Sequence, residues 1–124
     1  MNKKIAYLIN PISGTKGKEK LKALIESETN KQQIPFEILA TNAEANYDFV
    51  KDKIANEGLT HVVIVGGDGT INQIINALRF EPVIFGIIPM GSGNGLARAA
   101  GISMKPKKAL AQIFNGNAKK TDAF

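Results

Sequence analysis

The sequence predicts an α/β fold of three layers: a doubly wound, mostly parallel sheet covered by helices on both faces. Three observations carry that prediction. Short apolar runs of strand length alternate with stretches whose apolar residues recur at helical spacing. The runs are continuously apolar, the pattern of strands buried on both faces of a parallel sheet. Eight of the twelve glycines fall in three loops that each follow such a run, at the carboxyl ends of strands where open α/β sheets bind ligands.

Each element follows in order. Ile5 to Ile9 is an apolar run ended by Asn10-Pro11 and reads as the first buried strand. A helix starting near Gly17 sets Leu21, Leu24 and Ile25 on one face. Phe36 to Ala40 is the second strand. Thr41, with Glu44 three residues later, has the form of a capping box. Behind it Ala43, Tyr47, Val50 and Ile54 recur at intervals of four, three and four, until Gly58 supplies a stop. His61 to Val65 is the third strand, followed after a glycine turn by Ile71, Ile74, Ile75 and Leu78 on a helical stripe. Pro82 to Pro89 contains the fourth strand. A short helix around Leu96 to Ala100 ends at Gly101, and another opens at Lys105-Pro106 and stops near Gly116. Lys119 to Phe124 reads as the start of a fifth strand.

Composition narrows the function. A length of 124 residues allows one domain, and 44% apolar with 22% charged residues is globular rather than disordered. The absence of cysteine removes disulfide scaffolds, zinc knuckles and thiol catalysis. The longest apolar runs, Val62 to Val65 and Val83 to Met90, are far shorter than a membrane span of about 20 residues. The apolar stretch after Lys3-Lys4 is too short for a signal peptide, so a soluble, cytoplasmic protein is expected. The net charge of +5 is unevenly placed: residues 1–25 carry six lysines against Glu19, residues 26–82 nine acids against four bases, and residues 83–124 six bases against Asp122. Basic segments at both ends suit a phosphate, a nucleic acid or an acidic membrane surface; otherwise these lysines simply solvate helix faces.

The glycine loops favour phosphate. Gly14 and Gly17 follow the first strand, Gly66, Gly67 and Gly69 the third, and Gly91, Gly93 and Gly95 the fourth. Glycine lets backbone amides approach a ligand closely, and a helix that opens behind such a loop aims its amino-terminal dipole at an anion. Lys16, Lys18 and Arg98 flank these loops with cations. One such loop alone would be a tight turn; three with basic flanks point to a phosphate-bearing ligand. The chain has neither G-x-x-x-x-G-K-[ST] nor G-x-G-x-x-G, because Leu96 stands where the last glycine of the latter would fall. His61 has no serine or cysteine partner at a recognisable spacing, which leaves a hydrolase triad unsupported.

Two of the segments, with a third, have a family's form. Gly66-Gly67-Asp68-Gly69-Thr70, after an apolar strand and before a helix, resembles the signature loop of the diacylglycerol kinase and sphingosine kinase superfamily, shared more distantly by NAD kinases and phosphofructokinases. Ile88-Pro89-Met90-Gly91-Ser92-Gly93-Asn94, continued by Leu96-Ala97-Arg98, is similar to that superfamily's second glycine-rich motif. Asn10-Pro11-Ile12-Ser13-Gly14 is similar to its opening motif. The resemblance implies an NAD kinase/diacylglycerol kinase-like N-terminal domain over residues 1–124, and ATP-dependent phosphorylation of a lipid hydroxyl on diacylglycerol or a sphingoid or ceramide-like lipid. By position, Asn10, Ser13, Gly14 and the adjoining Lys16 would line the adenine, ribose and phosphate region. Gly66, Gly67, Gly69 and Thr70 would hold the phosphates, and Gly91, Ser92 and Asn94 would close the site. Asp68 would act near the acceptor hydroxyl as base or electrostatic anchor. The alternatives are an ordinary N-cap for Asp68, helix capping for Thr70 and a self-stabilised turn for Asn94.

ATP and Mg²⁺ are the implied cofactors, the ion arriving on the nucleotide, and no metal ligand is assigned within the chain. The family's second motif often carries aspartate where Gly95 stands, as it does not in the sphingolipid-type members. Relatives also carry a C-terminal β-sandwich domain, so the chain reads as a fragment, inactive alone, whose missing half selects the lipid. The implied partner is a lipid at a membrane surface, reached by peripheral contact at the inner face, with homo-oligomer formation left open. An NAD kinase and a non-catalytic nucleotide-binding module are the alternatives; a nucleic-acid partner is disfavoured by the 6% aromatic content and the absence of tryptophan.

Overall fold

The computed structural model describes residues 3–9, 16–42, 44, 46–89 and 106–115, with the backbone alone at 16–18, 68, 89 and 106. In chain order the elements are β1 (Ile5–Ile9), α1 (Lys16–Lys31), β2 (Phe36–Ala40), α2 (Asp48–Glu57), β3 (His61–Gly66), α3 (Asp68–Leu78), β4 (Ile84–Pro89) and α4 (Pro106–Phe114). The strands form one parallel sheet in the order β2-β1-β3-β4. Its register sets Ile9 beside Ala40 and Val65, and Val65 beside Ile88.

Successive side chains on a strand face opposite sides, and the apolar runs fill both. Ala6, Leu8, Val62, Ile64, Phe85 and Ile87 meet Val50 and Ile54 of α2 and Ile71, Ile74 and Leu78 of α3. Ile5, Tyr7, Ile9, Val63, Val65 and Ile88 meet Leu21 and Ile25 of α1 and Ala109, Leu110 and Ile113 of α4. Sheet order and helix placement are the three-layer, doubly wound arrangement expected. Gly86, in mid-strand, lets α4 close on the sheet: a Cβ there would stand 2.9 Å from Ile113 Cγ1, 3.0 Å from its Cδ1 and 3.2 Å from Val63 Cγ2. Gly58 ends α2 at φ 73°, the left-handed conformation that glycine adopts without penalty.

Two buried polar contacts tie the layers. The Tyr7 hydroxyl and Thr29 Oγ1 are 2.7 Å apart between β1 and α1, and both residues are fully buried. Burial pushes the Tyr7 phenol up to about 12, against the opposing effect of the Thr29 bond. At the amino edge of the sheet, Thr60 Oγ1 accepts the Lys4 amide at 2.8 Å and donates to the Lys4 carbonyl at 3.1 Å. That donation uses the hydroxyl's one proton, so His61 Nδ1, 2.8 Å away, is the donor of its pair.

The start of α2 differs from the capping-box reading. Its N-cap is Tyr47, not Thr41, and makes no side-chain cap bond. The Thr41 amide is committed to the sheet, donating to the Ile9 carbonyl at 3.1 Å. Asn42 and Asn46 then clasp the connection: Asn42 Nδ2 donates to the Asn46 carbonyl at 2.7 Å, and Asn42 Oδ1 accepts the Asn46 amide at 2.9 Å. Asn46 Oδ1 also accepts the Asp48 amide at 3.1 Å, satisfying a first-turn donor of α2. The helix expected at Leu96 to Ala100 and the strand expected at Lys119 to Phe124 lie outside the described residues.

Candidate nucleotide-binding edge

Sheet order creates the site. β1 and β3 are neighbours at the centre, yet the chain leaving β1 enters α1 on one face while the chain leaving β3 enters α3 on the other. Adjacent strands whose connections part to opposite faces leave a crevice beyond their carboxyl ends. Ile9 pairs with Val65 and Gly66 pairs with Pro89, so the three strands that the glycine-bearing segments follow in sequence end side by side at that edge.

The described part of the crevice is the joint between β3 and α3. Gly67 is the N-cap, with extended backbone at φ −95° and ψ −178°, and it offers no side-chain cap. Its carbonyl accepts the Ile71 amide at 3.0 Å, the first intrahelical bond. The amides of Asp68, Gly69 and Thr70 open the helix; such first-turn donors have no intrahelical partner and stand at the positive end of the helix dipole. A Cβ on Gly69 would meet nothing within 4 Å, so the surface beside that backbone is open. Thr70 is half-buried, with its Cβ 3.3 Å from the place a Gly66 Cβ would occupy. Asp68 is the first helical residue and Thr70 the third, so neither is an N-cap. This joint can hold an anion on backbone donors with an acidic residue beside it.

The structure thus brings Gly66, Gly67, Asp68, Gly69 and Thr70 together, and Lys16 opens α1. Asn10, Ser13, Gly14, Gly91, Ser92 and Asn94 lie outside the described residues, as do Gly95 and Arg98. His61 stands at the opposite edge, buried, its imidazole pushed below the usual range by burial and by Lys3. Thr41, whose spacing to Glu44 has the form of a capping box, stands with Asn42 at the carboxyl edge of the sheet, where its bond to Ile9 ties β2's exit to β1's. Among the described residues no three His, Asp or Glu gather to hold a metal ion, and no helix is long and apolar enough to cross a membrane.

Comparison with known proteins agrees with this geometry. Residues 4–124 match the family model described as the diacylglycerol kinase catalytic domain. A diacylglycerol kinase of Staphylococcus carnosus (strain TM300) is 29% identical over 127 residues, covering 98% of this chain and 40% of that protein. One of Staphylococcus aureus (strain bovine RF122 / ET3-1) is 31% identical over 129 residues, covering 98% and 39%. The chain therefore spans about two-fifths of the length of these relatives. A crystal structure of a diacylglycerol kinase from Bacillus anthracis str. Sterne superimposes with a TM-score of 0.73 at 20% identity, over 93% of this chain and 44% of that one; at that identity the likeness is one of fold.

Proposed function

This chain belongs to the diacylglycerol kinase catalytic domain family, and on that premise we propose that it is the nucleotide-binding part of an ATP-dependent lipid kinase. The acceptor is the hydroxyl of diacylglycerol or of a sphingoid or ceramide-like lipid. The observation that carries the reading is the β3–α3 joint at the centre of the sheet's carboxyl edge, where the N-cap is a glycine and makes no side-chain cap bond.

Those residues fit a phosphate. The amides of Asp68, Gly69 and Thr70 supply donors, and the open surface at Gly69 lets an anion reach them. Phosphoryl transfer through a loose transition state needs positioning and charge neutralisation more than covalent help from the protein. Magnesium, arriving on the nucleotide, would neutralise phosphate oxygens, and no residue of this chain is assigned to it. Asp68 accepts the proton of the lipid hydroxyl as that oxygen bonds to the γ-phosphorus and the bridge to the β-phosphate breaks. The helix dipole favours its charged form by about 0.3–1 kcal/mol. Basic segments at both ends of the chain suit peripheral contact with an anionic membrane, about 1 kcal/mol per lysine close to its surface.

The test is Asp68→Asn in the intact protein, assayed with ATP and diacylglycerol, sphingosine or NAD⁺ as acceptors. Loss of a general base lowers turnover about 10²–10⁴-fold, with ATP affinity nearly unchanged. Wild-type turnover in the variant removes Asp68 from the mechanism. Turnover on NAD⁺ alone favours an NAD kinase, and ATP binding without turnover on any acceptor favours a non-catalytic module.

A further inference from the structure

Thr70 packs on a strand residue that has no side chain. A Cβ on Gly66 would stand 3.3 Å from Thr70 Cβ, 3.4 Å from its γ-methyl and 3.7 Å from Oγ1. The first two distances are shorter than the relaxed carbon–carbon contact of about 3.5–4.0 Å, so the carbon side of Thr70 is seated on Gly66 and the hydroxyl stands farther off. Neither partner has room to retreat. Gly66 is paired with Pro89 of β4, and α3 is held down by fully buried Ile71 and Ile74 in the core beneath it. A helical threonine divides between two side-chain rotamers, partly because its hydroxyl can reach back to a preceding carbonyl.

We propose that Gly66 is a positioning residue: its bare Cα seats the Thr70 γ-methyl and so fixes the direction of the Thr70 hydroxyl in the first turn of α3. The role rests on the nucleotide reading above, in which that hydroxyl meets phosphate. A methyl at Gly66 displaces Thr70 by a few tenths of an ångström, and displacements on that scale at a ligand contact cost roughly tenfold where a full ångström costs about 10²-fold. Serine at 70 keeps the hydroxyl and loses the seat, spreading it over three staggered wells and weakening binding about threefold.

The experiment is calorimetric titration of the chain with MgATP, with a thermal melt of each variant. Expected are a roughly threefold loss for Thr70→Ser and a roughly tenfold loss for Gly66→Ala. Gly66→Ala with Thr70→Ser loses less than the sum of the two single losses, because serine removes the γ-methyl contact while the Cβ contact remains. Wild-type affinity in Gly66→Ala, or losses that simply add in the double variant, overturn the positioning role while the nucleotide reading stands. If Gly66→Ala fails to fold, full affinity in Thr70→Ser overturns it instead. Failure of the wild-type chain to bind MgATP overturns the nucleotide reading itself, and this role with it.

Discussion

Gly86→Ala adds one methyl group at a place where the sheet and α4 already touch. Its Cβ would lie 2.9 and 3.0 Å from two carbons of Ile113 and 3.2 Å from Val63 Cγ2, and both neighbours are buried, at 2% and 0% exposure. Neither can turn into solvent, so α4 must lift or Ile113 must leave its rotamer. Overpacking of this kind costs about 1–3 kcal/mol. Replacing a strand glycine by alanine recovers about 0.5–1 kcal/mol of backbone entropy, leaving a net loss of about 1.25 kcal/mol and at most about 2.5 kcal/mol. At about 2.1 cal/mol/K per residue the unfolding entropy of 124 residues is about 0.26 kcal/mol/K, so Tm falls by about 5 °C and by no more than about 10 °C. Thermal and urea denaturation measure the loss, and Ile113→Ala identifies its source. That truncation alone costs about 2–5 kcal/mol, but in the Gly86→Ala background the added methyl occupies vacated space. The double variant is then more stable than additivity requires, by about 1 kcal/mol or more. Gly86→Ala more stable than the wild type, or strict additivity with Ile113→Ala, refutes the close packing of α4 on β4.

Other consequences are as direct. Tyr7→Phe leaves Thr29 Oγ1 buried without its partner and costs about 1–3 kcal/mol; Thr29→Val on top restores much of that in a denaturant titration, whereas additive losses deny the pairing. The raised Tyr7 phenol favours the neutral form in the folded protein. Its contribution is complete below pH 10 and is lost as pH rises towards about 12, at about 1.4 kcal/mol per unit of difference. A Tyr7 NMR titration midpoint near 10 in the folded protein argues against it. His61 has the opposite sign: its lowered imidazole gives stability that is present above pH 6.5 and lost as the pH falls through its folded value. A His61 NMR titration midpoint above 6.5 contradicts the burial seen here.

The end of β1 was legible because Asn10-Pro11 closes its apolar run, whereas β3 runs one residue past the expected Val65, onto Gly66. Helix faces were legible where burial follows the period: Leu21 and Ile25, and Ile71, Ile74 and Leu78, are buried as their spacing implies. The start of α2 was not, because two local signals competed in one segment. The capping-box spacing of Thr41 and Glu44 lost to a tertiary bond between Thr41 and Ile9 and to the Asn42–Asn46 clasp, and no short-range pattern reports on Ile9. The shared carboxyl edge of β1, β3 and β4 was legible from glycines placed after strands, since strand direction in a parallel sheet settles which end they share. The tight fit of Ile113 on Gly86 was not, because a mid-strand glycine signals a close approach without naming what approaches.

β1, one of the two central strands, is synthesised before the other three strands of its sheet. It takes its hydrogen bonds from β2 on one side and β3 on the other, and α1 and then α2 must be translated before both partners exist. During that interval Ile5-Ala6-Tyr7-Leu8-Ile9 is an unpaired apolar ribbon, an aggregation hazard that the equilibrium stability of the finished sheet does not report.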